Sequence, residues 1–207
     1  MMPSACLTAF VPLVIFVGTS TPRNGVASGI FALRFDPGKV RFTKPELVAL
    51  IPSPTFLALH PRGQILYAVS ESDIADGRTG GVAFAYRIKS GGGLECIGQQ
   101  AAGGPRLAHL VPDATARMLA AVSYGGGSVV MFHLADDGKI GPRANTLFVQ
   151  GAHGPDPVRQ DRPHPHSVTL SPDNRFAYVC DLGLDQVLAF RLDPNSATLL
   201  PITEYGT

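Results

Sequence analysis

Apolar and polar positions alternate in short runs along the chain, and the runs recur. PTFLALHPRGQILYAVS (54–70), LAHLVPDATARMLAAVS (107–123) and PHSVTLSPDNRFAYVCD (165–181) lie over one another without gaps. Ser70, Ser123 and Asp181 then share one position, 53 and 58 residues apart. Each stretch reads as two β-strands around a turn whose Pro, Asn, Asp or Gly sets the dihedral angles. A third strand follows each pair, as GVAFAYRI, SVVMFHL and QVLAFRL, with an earlier copy in GIFALRF. Arg34, Arg87, His133 and Arg191 occupy one polar slot in these strands. Tyr86, Phe132 and Phe190, one residue earlier, face the opposite side because side chains alternate along a strand. A less regular fourth strand closes each unit, in VRFTKPELVALI, GLECIGQQA, NTLFVQ and TLLPITEY. Four antiparallel strands repeating at about 50 residues form the blade of a β-propeller.

The pattern therefore predicts an all-β chain, a β-propeller of four-stranded antiparallel blades. An N-terminal segment (1–13) precedes blades at 14–52, 53–104, 105–163 and 164–207. VIFVGT (14–19) corresponds to a second strand and has no first strand before it. The expected ring is incomplete, about four blades, and the faces of its outer blades need either further blades or a second copy.

Composition sharpens the class. The 207 residues include 23 glycines and 18 prolines, and only 16% are charged, against roughly 25% in an average soluble domain. Such a mixture suits short strands and tight turns. A net charge of +1 gives no field to attract nucleic acid or anionic lipid. Cys6, Cys96 and Cys180 are far apart and form no metal-ligand spacing, which points to a reducing, cytoplasmic setting and to no metal or other cofactor. The apolar run from Cys6 to Gly18 lacks a preceding Lys or Arg and is interrupted by Pro12, so neither a signal peptide nor a membrane span is expected.

Blade geometry sorts the loops. Connections from second to third strand and those leading into first strands share one face, where first strands line the central channel. The short turns share the other face. The first set is long and chemically varied. It brings Glu71, His109, Tyr124, Arg159, His164, His166 and Asp181 toward one channel mouth. Within RQDRPHPHS (159–167), Pro163 and Pro165 hold the chain extended, which would project His164 and His166 to the same side. A proline-rich surface loop is the plain alternative. Glu71 reads equally as a general base or as the start of a solvated loop. His109 stands where the other repeats carry Phe56 and Ser167, and reads as a channel residue or a packing residue.

Taken together, VGTST, SPTFLALHPRGQILYAVSE, GGVAFAYRI, SYGGGSV, RQDRPHPHSV and DLGLD resemble the lactonase family of seven-bladed propellers over most of residues 14 to 194. The resemblance implies metal-independent hydrolysis of a sugar lactone, 6-phosphogluconolactone foremost. It carries catalytic roles to His166, His164, Glu71 and His109, and substrate contacts to Arg159, Tyr124 and Asp181. His166 or His164 would activate water, with Arg159 polarising the carbonyl or holding a phosphate. Glu71 and His109 would orient water or sugar hydroxyls. Family members continue for about three further blades. A non-catalytic module binding a sugar or protein, an inactive fragment, and a carboxymuconate-type lactone-forming enzyme remain open on the same fold.

Overall fold

The computed structural model describes residues 13–19, 28–71, 74–75 and 78–202. Residues 1–12 of the expected N-terminal segment, and 203–205 of the last expected strand, lie outside the described residues.

The first sheet is built from β1 (Leu13–Thr19), β2 (Gly29–Asp36), β3 (Arg41–Phe42) and β4 (Glu46–Ala49). β1 pairs β2, and both β3 and β4 pair the far side of β2. The outer rank is thus one strand broken in two before Pro45, which has no N–H to give a ladder. The second sheet runs β5 (Pro54–Leu59), β6 (Ile65–Ser70), β9 (Val82–Ile88), β10 (Leu94–Ala101). A small hairpin, β7 (Ile74–Ala75) and β8 (Arg78–Thr79), fills its loop between second and third strands. The third sheet is β11 (Leu107–Pro112), β12 (Met118–Ser123), β13 (Ser128–Leu134), β14 (Ile140–Phe148). The fourth is β15 (Pro165–Leu170), β16 (Phe176–Asp181), β17 (Gln186–Asp193), β18 (Thr198–Pro201). All pairings are antiparallel, and each four-stranded sheet is laid down in chain order, with β6 meeting β9 across the small hairpin and β2 meeting both pieces of its outer rank, the arrangement of propeller blades. One 3₁₀ turn, Ser90–Gly92, is the helical content of the described residues.

The sheets stack face to face in chain order, and burial records the stacking. β6 (ILYAVS) and β12 (MLAAVS) are buried along their whole length, because a neighbouring blade covers each face. β16 (FAYVCD) alternates instead, with Ala177, Val179 and Asp181 buried but Tyr178 and Cys180 exposed, since one face has a neighbour and the other has none among the described residues. Three apolar clusters fill the inter-blade spaces. Ile30, Leu66 and Phe84 help join the first and second blades. Tyr67, Leu110 and Phe132 join the second and third, and Met131, Val168 and Phe190 the third and fourth. Tyr67 is fully buried and donates its hydroxyl to the Gly138 carbonyl of the next blade at 2.9 Å. Arg34, Arg87, His133 and Arg191 are all exposed, and Tyr86, Phe132 and Phe190 all buried.

The turns between first and second strands are fixed by side chains. Asp113 is fully buried and accepts the N–H groups of Thr115, Arg117 and Met118 at 2.7–2.8 Å. It also accepts the Asn174 amide of the fourth blade at 3.1 Å. Burial alone would raise this carboxyl, but the hydrogen bonds outweigh it and hold the group below its usual range.

Candidate functional site

In the second, third and fourth blades the second strand ends on a small polar side chain that ties down the segment leading into the first strand. Ser70 donates its hydroxyl to the Pro52 carbonyl at 2.8 Å, and Ser123 to the Pro105 carbonyl at 2.6 Å. Ser123 Oγ also accepts the Gly126 N–H, three residues on, at 3.1 Å. In the fourth blade the position holds Asp181. Its Oδ1 accepts the His164 N–H at 2.9 Å and the Leu184 N–H, again three residues on, at 3.0 Å. The second oxygen, Oδ2, is buried and meets no hydrogen-bond partner among the described residues, in a side chain only 3% exposed. A hydroxyl suffices for this tether in two blades. A carboxylate with an unmet acceptor is costly to bury, so the tether alone does not account for Asp181.

The first strands share a second device. In β5, β11 and β15 the pairing register slips once at the channel mouth, leaving Thr55, Ala108 and His166 unpaired. Such a bulge re-aims the extra residue. In the fourth blade the extra residue is His166, and its side chain is exposed. Extended geometry alone predicted that His164 and His166 project together. The bulge changes the phase between them. His164 is turned inward, 5% exposed, with Nδ1 donating to the Tyr124 carbonyl at 3.0 Å and Nε2 against Asp161 Oδ1 at 2.9 Å. Both of its nitrogens are engaged by these oxygens, so neither is left for a ligand in the groove. The hydrogen bond from His164, with help from the Arg162 charge, holds the Asp161 carboxyl below the usual range.

The long connection before β15 is stapled to this arrangement. Gln160 is buried, accepts the Asp156 N–H at 2.8 Å and donates to the Leu182 carbonyl at 2.9 Å. Asp156 Oδ1 accepts the N–H groups of Val158 and Arg159, making a tight turn that presents Arg159. Gly183 is required by close approach: a Cβ there would fall on the Arg162 carbonyl oxygen and 2.9 Å from the His164 nitrogen. Arg159, His166, Ser167, Asp181 and Gln186 line one open groove of about 570 Å³.

Tyr124 joins this groove to the neighbouring blades. Its ring stacks on His164 at 4.4 Å and meets the His166 ring edge-on at 5.9 Å. The Arg106 guanidinium lies 5.6 Å from the same ring centre and 3.6 Å from Glu71 Oε1. His109 packs on Phe56 with ring centres 3.7 Å apart, and its Nδ1 is buried with no hydrogen-bond partner among the described residues. Burial, and then the nearby His166, push the His109 pKa down to about 4, so its ring is neutral at neutral pH. His166, Arg159 and Asp181 share the groove, His164 and Tyr124 back it, and Glu71 and His109 approach from the second and third blades. Sequence reasoning missed Asp161 and Arg106. Asp161 was visible as an acid three residues before His164, whereas nothing local marked Arg106. Among the described residues no group of three or more His, Cys, Asp or Glu side chains could hold a metal ion, and no helix is long and apolar enough to cross a membrane.

Residues 14–207 match the lactonase family of seven-bladed β-propellers. The chain belongs to that family. The lactonase propeller is 32% identical over 184 residues to a 6-phosphogluconolactonase of Bacillus subtilis, covering 88% of this chain and 50% of that protein. It is 32% identical over 185 residues to a 6-phosphogluconolactonase of Formosa agariphila, covering 87% and 51% respectively. The structure of a periplasmic gluconolactonase from Pseudomonas aeruginosa superimposes with a TM-score of 0.81 at 28% identity, over 91% of this chain and 53% of that one. The chain thus spans about half the length of the curated relatives it matches.

Proposed function

We propose that this lactonase-family chain acts in hydrolysis of a sugar lactone, with 6-phosphogluconolactone as substrate, through the groove at the mouth of the fourth blade. The observation that carries the reading is the bulged His166 beside Arg159 and a buried Asp181 with one oxygen unmet. His166 takes a proton from water as the water oxygen adds to the lactone carbonyl carbon. The carbonyl oxygen becomes an oxyanion facing Arg159. The tetrahedral intermediate then collapses, the bond to the ring oxygen breaks, and His166 returns its proton to that oxygen, leaving an open-chain hydroxy acid. His164 serves by position: held by Asp161, Asp181 and Tyr124, it fixes the segment that carries His166. His109, neutral, transfers no proton and orients water or a sugar hydroxyl by hydrogen bonding. Asp181 Oδ2 accepts a sugar hydroxyl, and Glu71 orients water or sugar. The free, exposed Cys96 and Cys180 suit a reducing cytoplasm.

The half-length match, and outer blade faces with no neighbour among the described residues, favour a second reading, in which this chain binds the sugar acid or lactone without completing turnover. Acid release from 6-phosphogluconolactone and gluconolactone, above the spontaneous rate, separates the two. Binding with no release supports the module, and neither binding nor release refutes both.

A further inference from the structure

Arg106 stands in the left-handed region, φ +58°, where a residue with a Cβ is strained. Its side chain is 49% exposed, so burial does not hold it there. The ion pair with Glu71 is long, at 3.6 Å between half-open side chains, a geometry that contributes little to stability. What the strained turn does achieve is placement. Tyr124 N–H binds the Arg106 carbonyl at 3.0 Å, and the guanidinium is set 5.6 Å from the centre of the Tyr124 ring. His166 approaches that ring at 5.9 Å. Arg106 and His166 thus border the same Tyr124 ring, and a phosphorylated six-carbon lactone lying over that ring with its carbonyl at His166 would point its far end toward Arg106. A guanidinium is a planar fork suited to phosphate, and lying on an aromatic face keeps it oriented.

We propose that Arg106 is the phosphate-recognising residue of this site. It releases the Glu71 carboxylate when a phosphorylated ligand binds, and so distinguishes phosphorylated from plain sugar lactones. The proposal rests on the lactone reading of the groove, and it leaves Arg159 to the carbonyl. Glu71 is the competing anion, so the two residues act in opposite directions on affinity.

The test is calorimetric titration of the 207-residue chain with 6-phosphogluconate and with gluconate, for wild type, Arg106→Gly, Arg106→Lys and Glu71→Gln. Glycine removes the guanidinium and also relieves the positive φ, so this variant is expected to fold at least as well as wild type. Losing a charge-assisted contact is expected to weaken 6-phosphogluconate about tenfold, with gluconate changed less than about twofold. Arg106→Lys should fall between, keeping charge without the fork. Glu71→Gln should tighten 6-phosphogluconate several-fold. Equal loss of both ligands in Arg106→Gly, or no loss of either, overturns the phosphate assignment while leaving the lactone reading intact. A wild-type chain that binds neither ligand overturns both.

Discussion

Asp181→Ser offers the sharpest test of the site, because serine is what two other blades use at the same position. Two hydrogen bonds end on Asp181 Oδ1, from the His164 and Leu184 N–H groups. Serine can keep the second, as Ser123 does with Gly126. It loses the first, a bond to a charged acceptor worth about 1.5–3 kcal/mol. Against this, the substitution removes a carboxylate oxygen buried without a partner, a penalty of about 1–3 kcal/mol. The two nearly cancel, so the net change in stability should stay within about 1 kcal/mol. Asp181→Ala loses both bonds and orphans two buried N–H groups, costing about 2–4 kcal/mol. In urea, with a slope of about 2 kcal/mol/M, the serine variant should move the midpoint by at most about 0.5 M and the alanine variant by about 1–2 M. Affinity for 6-phosphogluconate should fall tenfold or more in both, because both lose Oδ2. If Asp181→Ser keeps wild-type affinity and turnover, the unmet oxygen has no role in the site and the argument for it is wrong. If Asp181→Ser is as unstable as Asp181→Ala, the comparison between blades that underlies the argument fails.

The other expectations concern the base, the neutral histidine and the open faces. His166→Ala should lower kcat on 6-phosphogluconolactone and gluconolactone alike by about 10²–10⁴, and Arg159→Ala by about 10²–10³ if it meets the oxyanion. Near wild-type turnover in His166→Ala places the base elsewhere. His109 in the folded chain titrates at about 4, below the ordinary 6.5, so the unfolded chain binds the extra proton between these values. Its contribution to stability is full above pH 6.5 and is lost as pH falls toward 4. It should amount to about 1–2 kcal/mol once partial exposure is allowed for. His109→Phe, the residue found as Phe56 in the second blade, should remove that part of the slope, and parallel pH curves would refute it. Ile15, Val17, Phe31 and Leu33 share the face of the first blade that has no neighbour among the described residues, where Val17, Phe31, Leu33, Thr19 and Pro45 line an apolar groove. The 207-residue chain should self-associate through it. Sedimentation velocity should show Val17→Lys shifted toward monomer, and a wild type already monomeric at tens of micromolar, a concentration at which weak interfaces form, would count against it.

Strands and turns were legible because each is a local property. Alternation in SVVMFHL and QVLAFRL and the turn residues of SPDN act within a few positions, and they recur. The break at Pro45 had a local signal too, in a residue that cannot join a ladder. What escaped was set by pairing between strands. His166 is a bulge residue because β15 slips against β16, and neither strand alone records the slip. The inward turn of His164 follows from that slip and from Asp161, and the left-handed Arg106 from the path between two blades.

The repeat that made the fold readable also isolates the chemistry. Where the blades agree, the shared residue meets a need common to every blade: a hydroxyl at Ser70 and Ser123 to tie the first strand, an aromatic at Tyr86, Phe132 and Phe190 to fill the space between blades. Where they disagree, the common need has already been met by something cheaper. Thr55 and Ala108 show that the bulge needs no imidazole, so His166 is not there for the bulge. Phe56 and Ser167 show that the slot of His109 accepts either an apolar ring or a small hydroxyl, so packing alone does not call for a ring whose buried nitrogen meets no partner among the described residues. The serines show the same for Asp181. These three departures come from three different comparisons, and two of them, in the third and fourth blades, are close enough that His166 helps to depress the pKa of His109. Blade geometry brings these positions to one channel mouth in every blade, but it requires neither a histidine nor a carboxylate at any of them, and the proposed lactone site rests on that choice of side chains.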